Sequence, residues 1–213
     1  MTSHHDTGSS GHEHRSGTTS RAGGTTGTTA PEDTVAERYR RRAAEFTRRV
    51  LAVPDGAWHA PSPCAGWSAR DVLAHMLDNH REMPGYAGLT LTIDTPVERD
   101  PYGAWQQARE RMQDLLQDPA RARAEYTGHF GNVSIADTVD RFLGCDLIVH
   151  AWDIARATGQ DETLPAHEVT AVYEQMLPLR DMLRMPGVCG PEVSVPADAP
   201  IQDRLLGLMG RRP

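Results

Sequence analysis

One segment constrains this chain more than any other. Residues 134–158 read as an apolar helix that carries three ionisable side chains on its apolar face. Ser134 followed by Asp137 has the form of a capping box, so a helix starts there. Gly159 stands where a helix C′ residue is expected. At about 100° per residue, Ile135, Val139, Phe142, Leu143, Leu147 and Ile154 share one face. Asp146, His150 and Asp153 project from the centre of that face. Such groups enter a core only with partners, because the loss of water is costly. Two partnerships are open. A divalent metal satisfies Asp146 and His150, since imidazole and carboxylate are zinc ligands and the i,i+4 spacing puts both on one side of the helix. A metal-free Asp–His hydrogen bond satisfies them equally. A zinc site also needs a third protein ligand, which has to come from another segment.

The rest of the chain supplies facing helices. Val35, Tyr39, Ala43, Phe46 and Val50 recur at threes and fours and predict a helix over about 32–53. Residues 54–67 hold Pro54, Gly56, Pro61, Pro63 and Gly66 and read as loop. Ser68 with Asp71 starts a second helix that runs to about 82 and is ended by Pro84, Gly85 and Gly88. A third spans about 102–118, with Trp105, Ala108, Met112, Leu115 and Leu116 inward. Pro119, Gly128, Gly131 and Asn132 separate it from the fourth, at 134–158. A fifth begins near 166 and is interrupted at Pro178, and Pro200 opens a short last helix through Leu208. Residues 1–31 are Gly, Ser, Thr and His with little apolar content, and are expected to be a disordered tail. His4, His5, His12 and His14 of that tail are set aside as solvated. The expected architecture is all-α: a four-helix bundle with a short C-terminal helical extension, over 32–213.

Composition excludes several function classes. The net charge of −7 and the lack of any basic cluster interleaved with aromatics argue against nucleic-acid binding. No apolar run approaches the length of a membrane span, and no signal-type apolar core stands at the N-terminus. Cys64, Cys145 and Cys189 are widely spaced and odd in number, which fits a reducing cytoplasm and no disulfide framework. There is no lysine, so lysine Schiff-base chemistry is excluded.

The third ligand has three candidates: His75, His80 and His129. On the second helix Val72, Leu73, Met76 and Leu77 define the apolar face; His80 falls within it and His75 on its flank. Periodicity alone favours His80 as the inward residue, while a flanking His75 can still line a pocket between helices. His59, His129 and His167 lie in or near loops.

The stretch Trp58–His75 contains Pro61-Ser-Pro-Cys-Ala-Gly-Trp-Ser-Ala-Arg-Asp-Val-Leu-Ala-His75. It resembles the lead-in to the second helix of the mycothiol-dependent maleylpyruvate isomerase family, one of the DinB-like metal-binding bundles. The stretch His150-Ala-Trp-Asp-Ile-Ala-Arg-Ala-Thr-Gly159 resembles that family's second signature, and Pro200–Gly210 resembles the end of its short actinobacterial members. The resemblance implies a metal held by one histidine of the second helix and by an acid-x-x-x-His pair of the fourth: His75, Asp146 and His150. It departs from the isomerase in having Asp146 where that enzyme has Glu, and in the expected lack of the isomerase's C-terminal domain, so the same substrate does not follow.

The other motif residues carry lesser expectations. Trp67 and Ser68 fix the start of the second helix. Cys64 lies in the loop before it, with nothing near it in sequence to activate a thiol. Asp153, one turn from His150, either orients that imidazole as an outer partner or pairs with an arginine. Cys145 is a packed thiol. The implied function is a zinc enzyme that ionises a low-molecular-weight thiol, mycothiol by resemblance, for S-transfer to a small electrophile or for its isomerisation. The alternatives are a zinc-water hydrolase with the same ligands and a non-catalytic bundle that binds metal or a small ligand. Homodimer formation is compatible with each. No proton donor is evident in the sequence.

Overall fold

The computed structural model of the protein describes residues 33–128 and 131–213. The tail and His129 lie outside these residues. Four helices build the core: α1 (Val35–Leu51), α2 (Ala69–Gly85), α3 (Pro101–Gln117) and α6 (Gly144–Ala157). Between α3 and α6 come the short α4 (Pro119–Ala122), strands β1 (Glu125–Gly128) and β2 (Gly131–Ser134), and α5 (Ile135–Thr138). After α6 come α7 (Ala166–Met176) and α8 (Ile201–Leu208). Both α1 and α2 pack against α3 and against α6, so the four core helices close a ring in which α2 and α6 are neighbours. The architecture is all-α, as the periodicities require.

Local chemistry explains the helix starts. Thr34 caps α1, accepting from Glu37 N–H while the Glu37 carboxylate accepts from Thr34 N–H at 2.7 Å. Ser68 and Asp71 do the same for α2, with the Ser68 N–H to Asp71 Oδ2 at 2.8 Å. Ser134 accepts from Asp137 N–H at 3.1 Å at the head of α5. Where α1 and α3 meet, Phe46 and Trp105 pack edge to face at 4.6 Å, and the Trp105 indole N–H donates to Thr47 Oγ1 at 2.8 Å.

Two features differ from the sequence reading. First, the stretch read as a plain separator before residue 134 contains an antiparallel hairpin, with Glu125 opposite Ser134 and Tyr126 opposite Val133. Its two strands are four residues each, too short to show a period-two pattern. Second, the expected helix at 134–158 changes pitch. Residues Val139–Leu143 form a π-helical turn, and Gly144 N–H donates to Val139 O, five residues back. The fifth helix is interrupted where expected: it ends at Met176, and Pro178 lies in the short 3₁₀ turn Leu177–Leu179.

The π turn is braced from α1. Buried Arg42 donates through Nη1 to the Asp140 carbonyl at 3.0 Å and through Nε to Glu168 of α7 at 2.7 Å. A one-residue widening of the helix rotates everything after it, so this brace helps to set which way Asp146 and His150 face.

At the other end of the chain, Gly207 of α8 lies against the 193–195 segment. The Gly207 carbonyl accepts from Val193 N–H at 2.9 Å, and a Cβ on Gly207 would meet Val193 O at 2.6 Å. Gly210 then takes a left-handed turn (φ 78°) and Arg211 N–H closes back on Leu206 O at 2.8 Å. That reversal sends the Arg211 side chain into the bundle.

Candidate metal centre

The site lies where α2 faces α6. His75 of α2 and His150 of α6 have ring centroids 5.2 Å apart, edge to face. Asp146, one turn before His150, is tied to α2 through Asn79, whose Nδ2 donates to Asp146 Oδ2 at 2.8 Å. The same Nδ2 lies 3.1 Å from His75 Nε2. His75 thus lies beside His150 and is linked to Asp146 through Asn79, which stands between the two; the ligand atoms of the three are not all within 4.8 Å of one another. His150 is buried, with 6% exposure, while His75 and Asp146 are half-buried.

The other histidines are elsewhere. His80, the inward residue on a helical wheel, is fully buried but faces α1 and α3. Its Nδ1 bonds to Met76 O at 2.6 Å, its Nε2 to Tyr39 Oη at 2.9 Å, and its ring meets Trp105 edge-on at 5.3 Å. Burial pushes its pKa down to about 4, so the ring is neutral. It is a satisfied core histidine. His59 and His167 are exposed.

A second layer surrounds His150. Its Nδ1 is 2.8 Å from Asp153 Oδ2. Asp153 has no exposed surface and is gripped by Arg211, with Nη2 to Oδ2 at 2.7 Å and Nε to Oδ1 at 3.3 Å. Asp153 therefore does both things weighed for it, orienting an imidazole and pairing with an arginine. The Cys64 Sγ–H donates to Asp153 Oδ2 at 3.4 Å and accepts from Arg211 Nη2 at 3.3 Å. The loop that delivers Cys64 is a tight turn: Trp67 N–H returns to Cys64 O at 3.0 Å across Gly66, which has φ 81°. Trp67, a third exposed, lies 5.0 Å from the His75 ring and 6.5 Å from the His150 ring. It does more than start a helix; it walls one side of the site.

Electrostatics follow from these contacts. Burial works against a charged His150, but the hydrogen bonds to Asp153 and Cys64 and the charge of Asp153 outweigh it and raise the ring to about 9. Burial also works against ionised Asp153, yet His150 and Arg211 hold it at about 2. Burial and the neighbouring His150 push His75 down, against the pull of Asp146. Burial raises the thiols of Cys145 and Cys189; Cys145 is a packed thiol, as expected from its place on the helix.

Two donor sets share His150. One is His75, Asp146 and His150. The other is Cys64, His150 and Asp153, whose ligand atoms lie within 4.8 Å of one another. Arg211 weighs against the second. Its guanidinium is already bonded to both Cys64 and Asp153, so a second cation there would sit beside a fixed positive charge. The first set consists of imidazole and carboxylate groups, which are zinc-ligand types. With Asp153 on Nδ1, Nε2 is the His150 atom left free to hold an ion, in the carboxylate–histidine arrangement common to metal sites; an ion bound there would take the place of a ring proton. The acceptor atoms of His75 and Asp146 already converge on one positively polarised N–H₂ group.

Arg211 and Asn79 were not singled out from the sequence. Arg211 gives no local signal, being 58 residues from Asp153. Asn79 does: it follows His75 by four residues, the spacing that marks Asp146 and His150.

An all-α bundle with imidazole and carboxylate groups facing one another across two helices is the class to which fold and site assign this chain. Residues 39–155 match the family described as mycothiol maleylpyruvate isomerase N-terminal domain, and the chain belongs to that family. The match spans His75, Asp146 and His150 and stops short of Arg211. Two uncharacterized proteins from two strains of Mycobacterium tuberculosis are each 27% identical to it over 157 residues, 71% of this chain and 83% of theirs. No solved structure matches the chain. Among the described residues no helix is long and apolar enough to cross a membrane.

Proposed function

We propose that this protein binds a divalent metal, zinc by preference, through His75, Asp146 and His150, and uses it to activate a low-molecular-weight thiol against a small electrophile. The observation that carries the reading is the pairing of two convergent acceptors, His75 Nε2 and Asp146 Oδ2, with a His150 whose Nδ1 is fixed by a buried carboxylate. Two imidazoles and one carboxylate with a remaining position form a catalytic type of zinc site. When bound, such an ion lowers the pKa of a coordinated thiol and makes it a nucleophile near neutral pH. The family name supplies mycothiol as the thiol and isomerisation as one outcome; S-transfer is the outcome when the new carbon–sulfur bond is kept.

The chain's own residues do the rest. Asp153 holds the His150 ring, and Arg211 keeps Asp153 ionised and in place. Trp67 covers the two imidazoles and keeps water from one side. The Cys64 Sγ–H, which donates to the same Asp153 oxygen that holds His150, is an exchangeable proton at the site.

The test is elemental analysis of the full chain beside His75→Ala and His150→Ala, followed by screening thiol–electrophile pairs. Histidines of the tail contribute equally to all three, so the difference reports the site. One zinc per chain fewer in both variants supports the reading. Equal zinc in all three would leave Asp146 held by Asn79 and His150 by Asp153 with no ion between them, and move the protein to the non-catalytic binding class.

A further inference from the structure

Asn79 occupies the space between two of the ligands, and it does so in a specific way. One amide nitrogen serves both acceptors, with Nδ2 at 2.8 Å from Asp146 Oδ2 and 3.1 Å from His75 Nε2. The two hydrogens of a single –NH₂ are therefore used one each, which fixes the amide with nitrogen toward the pair and oxygen away. Asn79 and His75 lie four apart on α2 and so share a side of that helix, while Asp146 reaches across from α6. The N–H groups stand in for positive charge between the two ligands. A cation bound by His75 and Asp146 takes over that role, and it repels N–H groups aimed at it. A half-turn about the Asn79 Cβ–Cγ bond replaces the nitrogen with Oδ1, a neutral oxygen donor at the same place.

We propose that Asn79 is a fourth protein ligand of this centre. Its amide nitrogen holds His75 and Asp146 together before the ion binds, and its amide oxygen afterwards fills the position that an external thiol must take. The inference rests on the ligand set proposed above. Its consequence is a guarded site: a neutral amide is a weak ligand, so a strong thiol displaces it and water does not.

The experiment uses the full chain, Asn79→Ala, Asn79→Asp and His150→Ala, each loaded with cobalt(II) and titrated with β-mercaptoethanol. Thiolate coordination is read from its near-ultraviolet charge-transfer absorption, with His150→Ala as the baseline. If Asn79 competes with the thiol, Asn79→Ala takes up β-mercaptoethanol about tenfold more tightly than the parent, on the scale at which single groups around a metal act. Asn79→Asp, with a charged oxygen in the same place, shifts the midpoint the other way and reads the proposal even if the alanine variant folds poorly by circular dichroism. Equal thiol midpoints in the parent and both Asn79 variants overturn the role of Asn79 while leaving the metal site intact. Cobalt binding no higher than in His150→Ala overturns the ligand set, and the proposal with it.

Discussion

Replacing Gly144 with alanine tests whether the π turn before Asp146 is built or incidental. A Cβ at Gly144 would lie 2.3 Å from Arg42 Nη1 and 3.4 Å from its Cζ. An exposed arginine would simply move. Arg42 is not free to do so: its side chain has 3% exposure and is held by Glu168 at 2.7 Å and by the Asp140 carbonyl at 3.0 Å. If the guanidinium stays, the overpacking costs about 1–3 kcal/mol. If it moves, the Asp140 carbonyl loses its partner, at about 1–3 kcal/mol. Alanine recovers about 1 kcal/mol of helix propensity over glycine. The net is a loss of up to about 2 kcal/mol, or up to about 8 °C in Tm for a domain of this size. Urea and thermal unfolding measure it. The decisive comparison is Gly144→Ala in an Arg42→Ala background, where the clash is gone and the same substitution becomes neutral or stabilising by up to about 1 kcal/mol. An equal cost in both backgrounds would refute the argument, because it would show that Arg42 does not occupy the space over Gly144.

Other outcomes follow from the buried groups. His80 has its pKa depressed to about 4 from 6.5; the unfolded chain binds the proton first, so the stability is complete above pH 6.5 and is lost as pH falls toward 4, by about 3 kcal/mol. A ring titration by NMR that placed the His80 pKa at or above 6.5 would contradict this. Tyr39→Phe removes the phenol that meets His80 Nε2 and is expected to destabilise by about 1–3 kcal/mol in urea, since a buried ring nitrogen is left alone. Arg211→Ala leaves buried Asp153 without its guanidinium and is expected to cost about 2–4 kcal/mol. Arg211→Lys is expected to restore little of it, because both carboxylate oxygens are held by separate guanidinium nitrogens; full rescue by lysine would show that charge alone matters.

Much of the candidate site was legible. Asp146 and His150 declare themselves as ionisable groups on an apolar helix, and the Cys-x-Gly-Trp-Ser lead-in marks the turn that places Trp67 beside them. The choice between His75 and His80 was not legible from periodicity. A helix in a four-membered ring has two neighbours, so it has two buried sides. His80 points to Tyr39 and Trp105, and His75 points to His150. A single apolar stripe cannot tell which side holds chemistry. Only the resemblance favoured His75. The hairpin at 125–134 escaped for a different reason: strands of four residues carry too few alternations to separate from loop.

The sequence by itself determined the helices, since caps and threes-and-fours spacing act within one or two turns of the chain. It determined the all-α class, because each such helix must bury its stripe against another. Tertiary structure decided the neighbours of His150. Arg211 arrives through the reversal at Gly210, Cys64 through the turn at Gly66, and Asn79 meets Asp146 only because α2 lies against α6. These contacts depend on the register of packed helices. A shift of one residue, such as the π turn introduces, rotates a side chain by about 100°, and no local pattern records which way the helix has been turned.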